Sequence, residues 1–475
     1  MSHARLVARN TFFLTISRVL GALMSFVSSI LLARYLGVEG YGTLSLALAL
    51  ALIVSLFADF GLAMLTTREV ARDRSLASKY IANVLSVQIV FAPILIGLVA
   101  LFVNISGYSQ QTISVVYIIS VGIILAVLST SISAIFQAHE QMEFMSIGAV
   151  LTYSATLCGI LIGIRLHVDV VGFAVFYLIA YGIVLAYYYL TCARMFFLPR
   201  LEADLVFWRS IVCEAWPIAV VAVSSFLYFR IDAIILSLIK GVGEVGLYSV
   251  AYSFSEATAV IPSMFVAALF PLISKLHDGS KQAFVDTCAK SLKYVLCLAL
   301  PIALVVTLWA EPIVETFYGS AFSGSAIALQ IIIWSGAAIY ITTILRSVFV
   351  SANLQRLNMA ITVALVALNV LINVLVIPRY GYLGASATTV ATDVFAVFMG
   401  IFFLGRHGYN LHMRRLSLPP VFGLTITIIT SAILLFCGVH LLLITAIDLA
   451  IYVTILFKLS LDAEDKRLIA SLFKR

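Results

Sequence analysis

Leu32–Ala47 reads LARYLGVEGYGTLSLA, and 204 residues later Leu236–Ala251 reads LSLIKGVGEVGLYSVA. The two stretches align without a gap. Leu32, Gly37, Val38, Gly42, Ser45 and Ala47 each meet an identical residue in the second copy. In both copies a Gly-Val pair sits between two apolar arms. Followed outward, each arm extends to about 20 apolar residues, the length a helix needs to cross the hydrocarbon of a bilayer. The quoted stretch is therefore the turn of a membrane hairpin, and the chain uses it twice. A weaker echo, offset by 212, pairs Val171-Gly172-Phe173-Ala174 with Leu383-Gly384-Ala385-Ser386.

Composition agrees with that reading. Of 475 residues 63% are hydrophobic and 11% charged, and the mean hydropathy is +1.13. A soluble domain is about half apolar and a quarter charged. An apolar excess of this size cannot be hidden in a water-soluble core, because the surface must still be covered by polar groups. The expected class is an all-α integral membrane protein of about fourteen spans, centred near residues 22, 53, 91, 124, 154, 183, 223, 258, 299, 338, 367, 393, 427 and 449. Six spans, an even number, separate the two hairpins, so both copies point the same way. Parallel repeats of this kind build two lobes related by an axis along the membrane normal. The expected division is an N-terminal six-helix lobe over 1–200, a second over 201–405, and a C-terminal helix pair with a tail over 406–475.

The basic residues orient the spans. Twenty-two of the 29 Lys and Arg fall in the N-terminal tail, in alternate loops and in the C-terminal tail, and four in or beside the opposite loops. The richly basic side includes Arg68, Arg72, Arg74 and Lys79, then Lys275, Lys281, Lys290 and Lys293, then Lys466, Arg467, Lys474 and Arg475. By the positive-inside rule both termini are cytoplasmic. The pI near 9.0 does not indicate nucleic acid, since the basic residues sit in short loops and not on a soluble face. Cys158, Cys192, Cys213, Cys288, Cys297 and Cys437 lie in apolar stretches with no CxxC pair, so neither a disulfide framework nor a zinc site is expected. An enzyme is not expected either. The longest outer connection, 310–323, carries no Arg, Lys or His, and the chain has no nucleophile elbow, phosphate-binding loop or other cofactor motif.

Several short signatures recur in a particular order. They are Leu36-Gly-Val-Glu-Gly-Tyr-Gly42, Asp59-Phe-Gly-Leu62, Thr67-Arg-Glu-Val-Ala-Arg72, Arg230-Ile-Asp232, Glu244-Val-Gly-Leu-Tyr-Ser249, Phe270-Pro271, Tyr318-Gly319 and Pro378-Arg-Tyr-Gly-Tyr-Leu-Gly-Ala385. With these, over residues 5–405, the chain resembles the Wzx-type polysaccharide (O-antigen or exopolysaccharide) flippases of the multidrug/oligosaccharidyl-lipid/polysaccharide exporter superfamily. The resemblance implies a fourteen-helix, two-lobed fold like that of multidrug exporters and lipid II flippases. It implies movement of undecaprenyl-diphosphate-linked oligosaccharide from the cytoplasmic to the outer leaflet of a bacterial inner membrane, by alternating access. The implied partners are that lipid-linked oligosaccharide, the bilayer, and a complex with a polysaccharide polymerase or glycosyltransferase. The alternative within the superfamily is a cation-coupled multidrug or metabolite antiporter.

Ionisable residues inside the spans are the chemistry on offer. On insertion scales each costs about 2.5–3.5 kcal/mol at mid-bilayer, so such residues face an aqueous cavity or a partner. Arg18, Arg230 and Arg346 are the intramembrane arginines. A guanidinium binds phosphate oxygens bidentately and keeps its charge when buried, so Arg18 and Arg230 are candidates for binding a diphosphate, with Arg346 as a further candidate in the cavity. The acids are Asp59, Glu256, Asp393 and Asp448. Glu256 or Asp393 could couple transport to protons or sodium; equally, Asp59 could pair with Arg18 and Glu256 with Arg230. Asp232 is expected near the outer mouth. Tyr187, Tyr188, Tyr189, Phe226, Tyr228, Tyr248 and Tyr252 either stack on sugar rings or belong to interfacial belts. Pro217, Pro262 and Pro301 can bend their spans.

Overall fold

The glycine at each hairpin turn is required by its backbone. Gly37 has φ +68° and ψ −174°, and its repeat partner Gly241 has φ +90° and ψ +176°. Positive φ with extended ψ is a region that only glycine enters readily. The sequence repeat is thus also a repeat of conformation.

The structure is a computed structural model. It describes residues 3–258, 265, 269, 273, 281–411 and 413–460, with side chains for all of these except 3–8, 217, 218, 220–229, 413–417 and 460. Pro262, Phe270, Pro271, Lys275 and the basic residues beyond 460 lie outside the described residues. So do the side chains of Pro217, Phe226 and Tyr228.

The principal helices are α1 (His3–Asp59), α2 (Leu62–Arg72), α3 (Ala77–Ile105), α4 (Gln110–Ala138), α5 (Met142–Arg165), α6 (Val170–Met195), α7 (Leu205–Lys240) and α8 (Val242–Thr258). They continue as α9 (Lys281–Leu308), α10 (Ala310–Tyr318), α11 (Ser325–Ser351), α12 (Gln355–Arg406), α13 (Met413–Phe436) and α14 (Leu441–Ile455). No strand occurs among the described residues. Ten stretches among them are long and apolar enough to cross a bilayer. Two of the ten are double: α1 breaks at Gly37, and α12 breaks at Gly381, φ +54° and ψ −136°. Together with α7 and α8 they accommodate all fourteen expected centres. The chain is a multi-pass, all-α membrane protein.

The helices form two compact units, Met1–Val250 with Asn369–Ala385, and Ala251–Leu368 with Ser386–Arg475. Within the first, one buried cluster joins α2, α3, α4, α6 and α7. Leu62, Leu65 and Val70 of α2 pack with Ile81 and Val84 of α3, Ile135 and Phe136 of α4, Cys192 of α6 and Ile211 of α7. Between membrane helices the hydrophobic effect supplies little, so association relies on close packing and on polar contacts. Both are present. Gly148 of α5 faces the Tyr188 ring of α6 so closely that a Cβ would fall 2.2 Å from it. Gln88 of α3 donates to the Ser131 hydroxyl of α4 at 2.7 Å, and Ser131 donates back to Gln88 Oε1 at 3.0 Å. Interhelical hydrogen bonds in membranes contribute about 0.6–2 kcal/mol each.

The second unit has its own core, built from Phe284, Cys288, Leu292 and Leu296 of α9 with Tyr340, Ile344, Val348 and Phe349 of α11. Its C-terminal pair α13–α14 is joined by a hydrogen bond from the Ser431 hydroxyl to buried Asp448. Trp309 donates from Nε1 to Thr445 Oγ1 at 2.8 Å. Lys290 and Lys293, expected in a cytoplasmic loop, lie inside α9, and Lys293 is buried. Its ammonium sits 5.3 Å from the Tyr294 ring centroid. Charge alone marks such residues as loop residues; here the helix starts earlier and carries them in.

Candidate substrate-facing site

Successive residues of an α-helix rotate by about 100°, and the first half of α1 sorts into three faces on that rule. Ser17, Gly21 and Ser28 are buried and form the packing face. On one side of it lie Phe12, Phe13, Ile16, Leu20, Leu23 and Val27, all apolar and all exposed. On the other side lie Thr11, Arg18 and Ser25, also exposed, with Thr15 and Ser29 half-buried beside them. A helix wholly surrounded by lipid would not keep a separate polar face. Arg18 is the only charge on that face, and its neighbours are small hydroxyl residues that leave it accessible.

The other candidates are spread over both units. Arg230 is half-buried on α7 of the first unit. In the second unit Arg346 is half-buried near the C-terminal end of α11, Glu256 is exposed on α8, and Asp393 is buried at mid-length in the second half of α12. Asp59 has a different setting from the ion pair weighed for it. Its carboxylate accepts from the backbone amides of Gly61 at 3.2 Å and Ala63 at 3.1 Å, and no ion pair joins it to Arg18. It holds the start of α2, where unpaired amides and the helix dipole both favour an anion.

In the first unit the two hairpins meet. A Cβ on Gly42 would lie 1.9 Å from the carbonyl oxygen of Val242, and a Cβ on Gly246 would lie 2.2 Å from that of Val38. Val38 and Val242, like Gly42 and Gly246, are partners in the repeat, so the contact is reciprocal. Beside it Glu244 accepts from the Tyr382 amide at 2.9 Å, immediately after Gly381, where a Cβ would strike the Glu244 carboxylate at 2.1 Å. Two of the short signatures, 244–249 and 378–385, are thus one contact. Tyr108 and Ser237 add a hydroxyl–hydroxyl bond of 2.6 Å.

With this geometry in hand, comparison with known proteins identifies the family. Residues 7–277 match the profile of the polysaccharide biosynthesis protein family. The chain belongs to that family. Residues 217–375 also match the MatE profile. A relative from Haloferax volcanii, named "Probable low-salt glycan biosynthesis flippase Agl15", is 22% identical over 390 residues, covering 81% of this chain and 80% of its own. Among solved structures, the lipid II flippase MurJ in an inward closed conformation superposes with a TM-score of 0.76, at 13% identity, over 94% of this chain and 98% of its own. An inward-facing MATE family multidrug transporter gives 0.68 at 14% identity, over 84% and 95%. Both likenesses concern the fold alone, and they match the all-α membrane transporter fold expected from the spans.

Several residues of this family member have roles that composition and spacing did not reveal. The Tyr187, Tyr188 and Tyr189 hydroxyls donate to the carbonyls of Phe144 at 3.3 Å, Met145 at 3.1 Å and Pro199 at 3.4 Å. These bonds hold α6 against α5 and the following connection. Tyr248 is buried and donates to buried Asp232, so neither lies open at an outer mouth. The connection after α6 is fastened to α3: Asn83 Oδ1 accepts from the Asp204 amide at 3.1 Å and from Trp208 Nε1 at 3.0 Å, and Ser86 Oγ accepts from the Glu202 amide at 3.0 Å. Arg68 pairs with Glu214 across α2 and α7.

The Asp59 geometry carries a prediction that separates a cap from a titrating acid. Asn can accept the same amide bonds, whereas Ala cannot, and losing a cap costs about 1 kcal/mol. Asp59→Asn is expected to keep both thermal stability and transport, and Asp59→Ala to lose about 1 kcal/mol in denaturation of the purified protein. Transport abolished by Asn at unchanged stability would instead identify Asp59 as a working carboxylate.

Proposed function

We propose that this protein flips a polyprenyl-diphosphate-linked oligosaccharide, on an undecaprenyl carrier, from the cytoplasmic to the outer leaflet of a bacterial inner membrane by alternating access. The observation that carries the reading is the three-faced first half of α1, which presents Arg18 on a polar, accessible face within a membrane-spanning helix. A permanently charged guanidinium suits a diphosphate anion, and Arg230 offers the same chemistry from α7. Arg346 is the third cationic contact. Membership of the polysaccharide biosynthesis family and the glycan flippase relative point to the same cargo. In this reading the six-helix repeats over 1–200 and 201–405 alternate between inward and outward access, both termini are cytoplasmic, and Glu256 or Asp393 couples the cycle to protons or sodium. A polymerase or glycosyltransferase would work beside it.

The MatE match and the multidrug transporter fold, together with buried Asp393, favour a cation-coupled antiporter as the second reading. A deletion strain separates the two. Under the flippase reading, diphosphate-linked oligosaccharide accumulates on the cytoplasmic leaflet and surface glycan is lost. Intact surface glycan with raised sensitivity to cationic dyes would support the antiporter.

A further inference from the structure

A crevice of 340 Å³ runs between α1 and α5, lined by Phe13, Ile16, Ser17, Ser146, Val150 and Leu151 among others. Its mouth is apolar and open, since Phe13, Ile16 and neighbouring Ile147 are exposed. These residues belong to the apolar side of α1, away from the polar face that carries Arg18. The crevice and the candidate diphosphate site therefore open in different directions. A water occupies about 30 Å³ of liquid and a methylene is of similar size, so the space suits a hydrocarbon segment of about ten carbons.

Polar groups at the crevice are left without partners. Ser146 is 5% exposed, lines the crevice, and its hydroxyl has no hydrogen-bond partner. At the cytoplasmic rim, two turns below Ile16 on the same side of α1, Arg9 has a buried Nε with no partner. Its Nη2 reaches both oxygens of Glu143 only at 3.4 Å. Asn10 Oδ1 and Gln141 Oε1 are buried and unpartnered beside it. Buried polar groups are almost always satisfied, and an anionic acceptor for Arg9 with hydroxyl donors for the two amide oxygens would satisfy this cluster.

From the apolar slot, the cation at its interfacial end and the orphaned acceptors, we infer that α1 and α5 hold one phospholipid of the cytoplasmic leaflet with a phosphodiester and a polyol head, of the phosphatidylglycerol class. One acyl chain occupies the crevice, the phosphodiester meets Arg9, and the head hydroxyls serve Asn10 and Gln141. Glu143 decides between anionic lipids. Its carboxylate approaches the Arg9 guanidinium only to 3.4 Å, so the guanidinium can still take a singly charged phosphodiester while the nearby negative charge disfavours a diphosphate. The site goes beyond the transported cargo and does not depend on it.

The test uses the full chain in nanodiscs of equal phosphatidylglycerol and phosphatidylcholine, released for native mass spectrometry. One arginine near the membrane surface favours an anionic lipid by about fivefold, so phosphatidylglycerol is expected to be retained about five times more often. Arg9→Gln, at a half-exposed helix end, is expected to bring that ratio close to one. Val150→Phe, which fills the slot, is expected to lower retention of both lipids. A ratio near one in the unaltered protein, or an unchanged ratio in Arg9→Gln, overturns the inference. Undecaprenyl diphosphate displacing the retained phospholipid at equal concentration also overturns it, and assigns the crevice to the cargo.

Discussion

An Arg18→Asp strain is expected to display no exported polysaccharide while its membranes hold the protein at the level of the parent strain. The two halves of that outcome have separate physical grounds. Arg18 is exposed on a face of small polar residues, so reversing its charge removes little packing and breaks no ion pair with Asp59. Folding should survive. Binding should not, because hydrogen bonds to charged groups contribute about 1.5–3 kcal/mol and a carboxylate in the same place repels a diphosphate. Losing the attraction alone is about a tenfold to hundredfold weakening; the added repulsion takes it further. Arg18→Lys keeps the charge but not the bidentate fork, and is expected to export at a reduced rate. Arg230→Asp should fail in the same way, although its half-buried position makes protein level the first control. Surface glycan by electrophoresis and protein level by immunoblot are the measurements. Full export by Arg18→Asp at normal protein level would remove the arginine basis for the diphosphate reading.

The helical spans were legible in the chain, and their rotation mostly was not. Apolar length places the fourteen spans, since bilayer thickness sets one dominant scale. The Gly-Val turn of the hairpin was legible because a positive φ admits few residues other than glycine. What failed were readings that needed to know which way a helix turns. Arg18 and Asp59 share a depth, and pairing them looked reasonable; the Asp59 carboxylate instead turns along its own chain onto two amides of α2. Tyr187 and Tyr188 carried a second signal, hydroxyls at successive positions of one helix that end on the successive carbonyls of Phe144 and Met145. Only the pairing of α5 with α6 reveals that use. Lys293 shows a further limit, because a buried lysine beside an aromatic ring reads the same as a loop lysine in a count of charges.

The reciprocal glycine contact supports the second large effect. Gly42→Ala and Gly246→Ala are each expected to suppress export, and to do so equally. The atoms that a new methyl would meet, at 1.9 Å and 2.2 Å, are backbone carbonyl oxygens, which cannot rotate away as a side chain would. The helices must separate instead. Overpacking of this kind costs about 1–3 kcal/mol, which weights any state lacking the contact by roughly 5- to 150-fold. A transporter that works by alternating access has to close and open its outer ends in turn, so a bias of that size stalls the cycle without unfolding the chain. Amide hydrogen exchange over residues 242–250 should quicken in both variants as the two hairpins part. Gly97→Ala, whose methyl would meet nothing within 4 Å, is the control and should alter neither exchange nor export. The equality matters as much as the loss. Val38 lies over Gly246 as Val242 lies over Gly42, so a pseudo-twofold contact gives the two substitutions the same penalty. Export lost in one variant and kept in the other would mean that the repeat has diverged in function while keeping its shape.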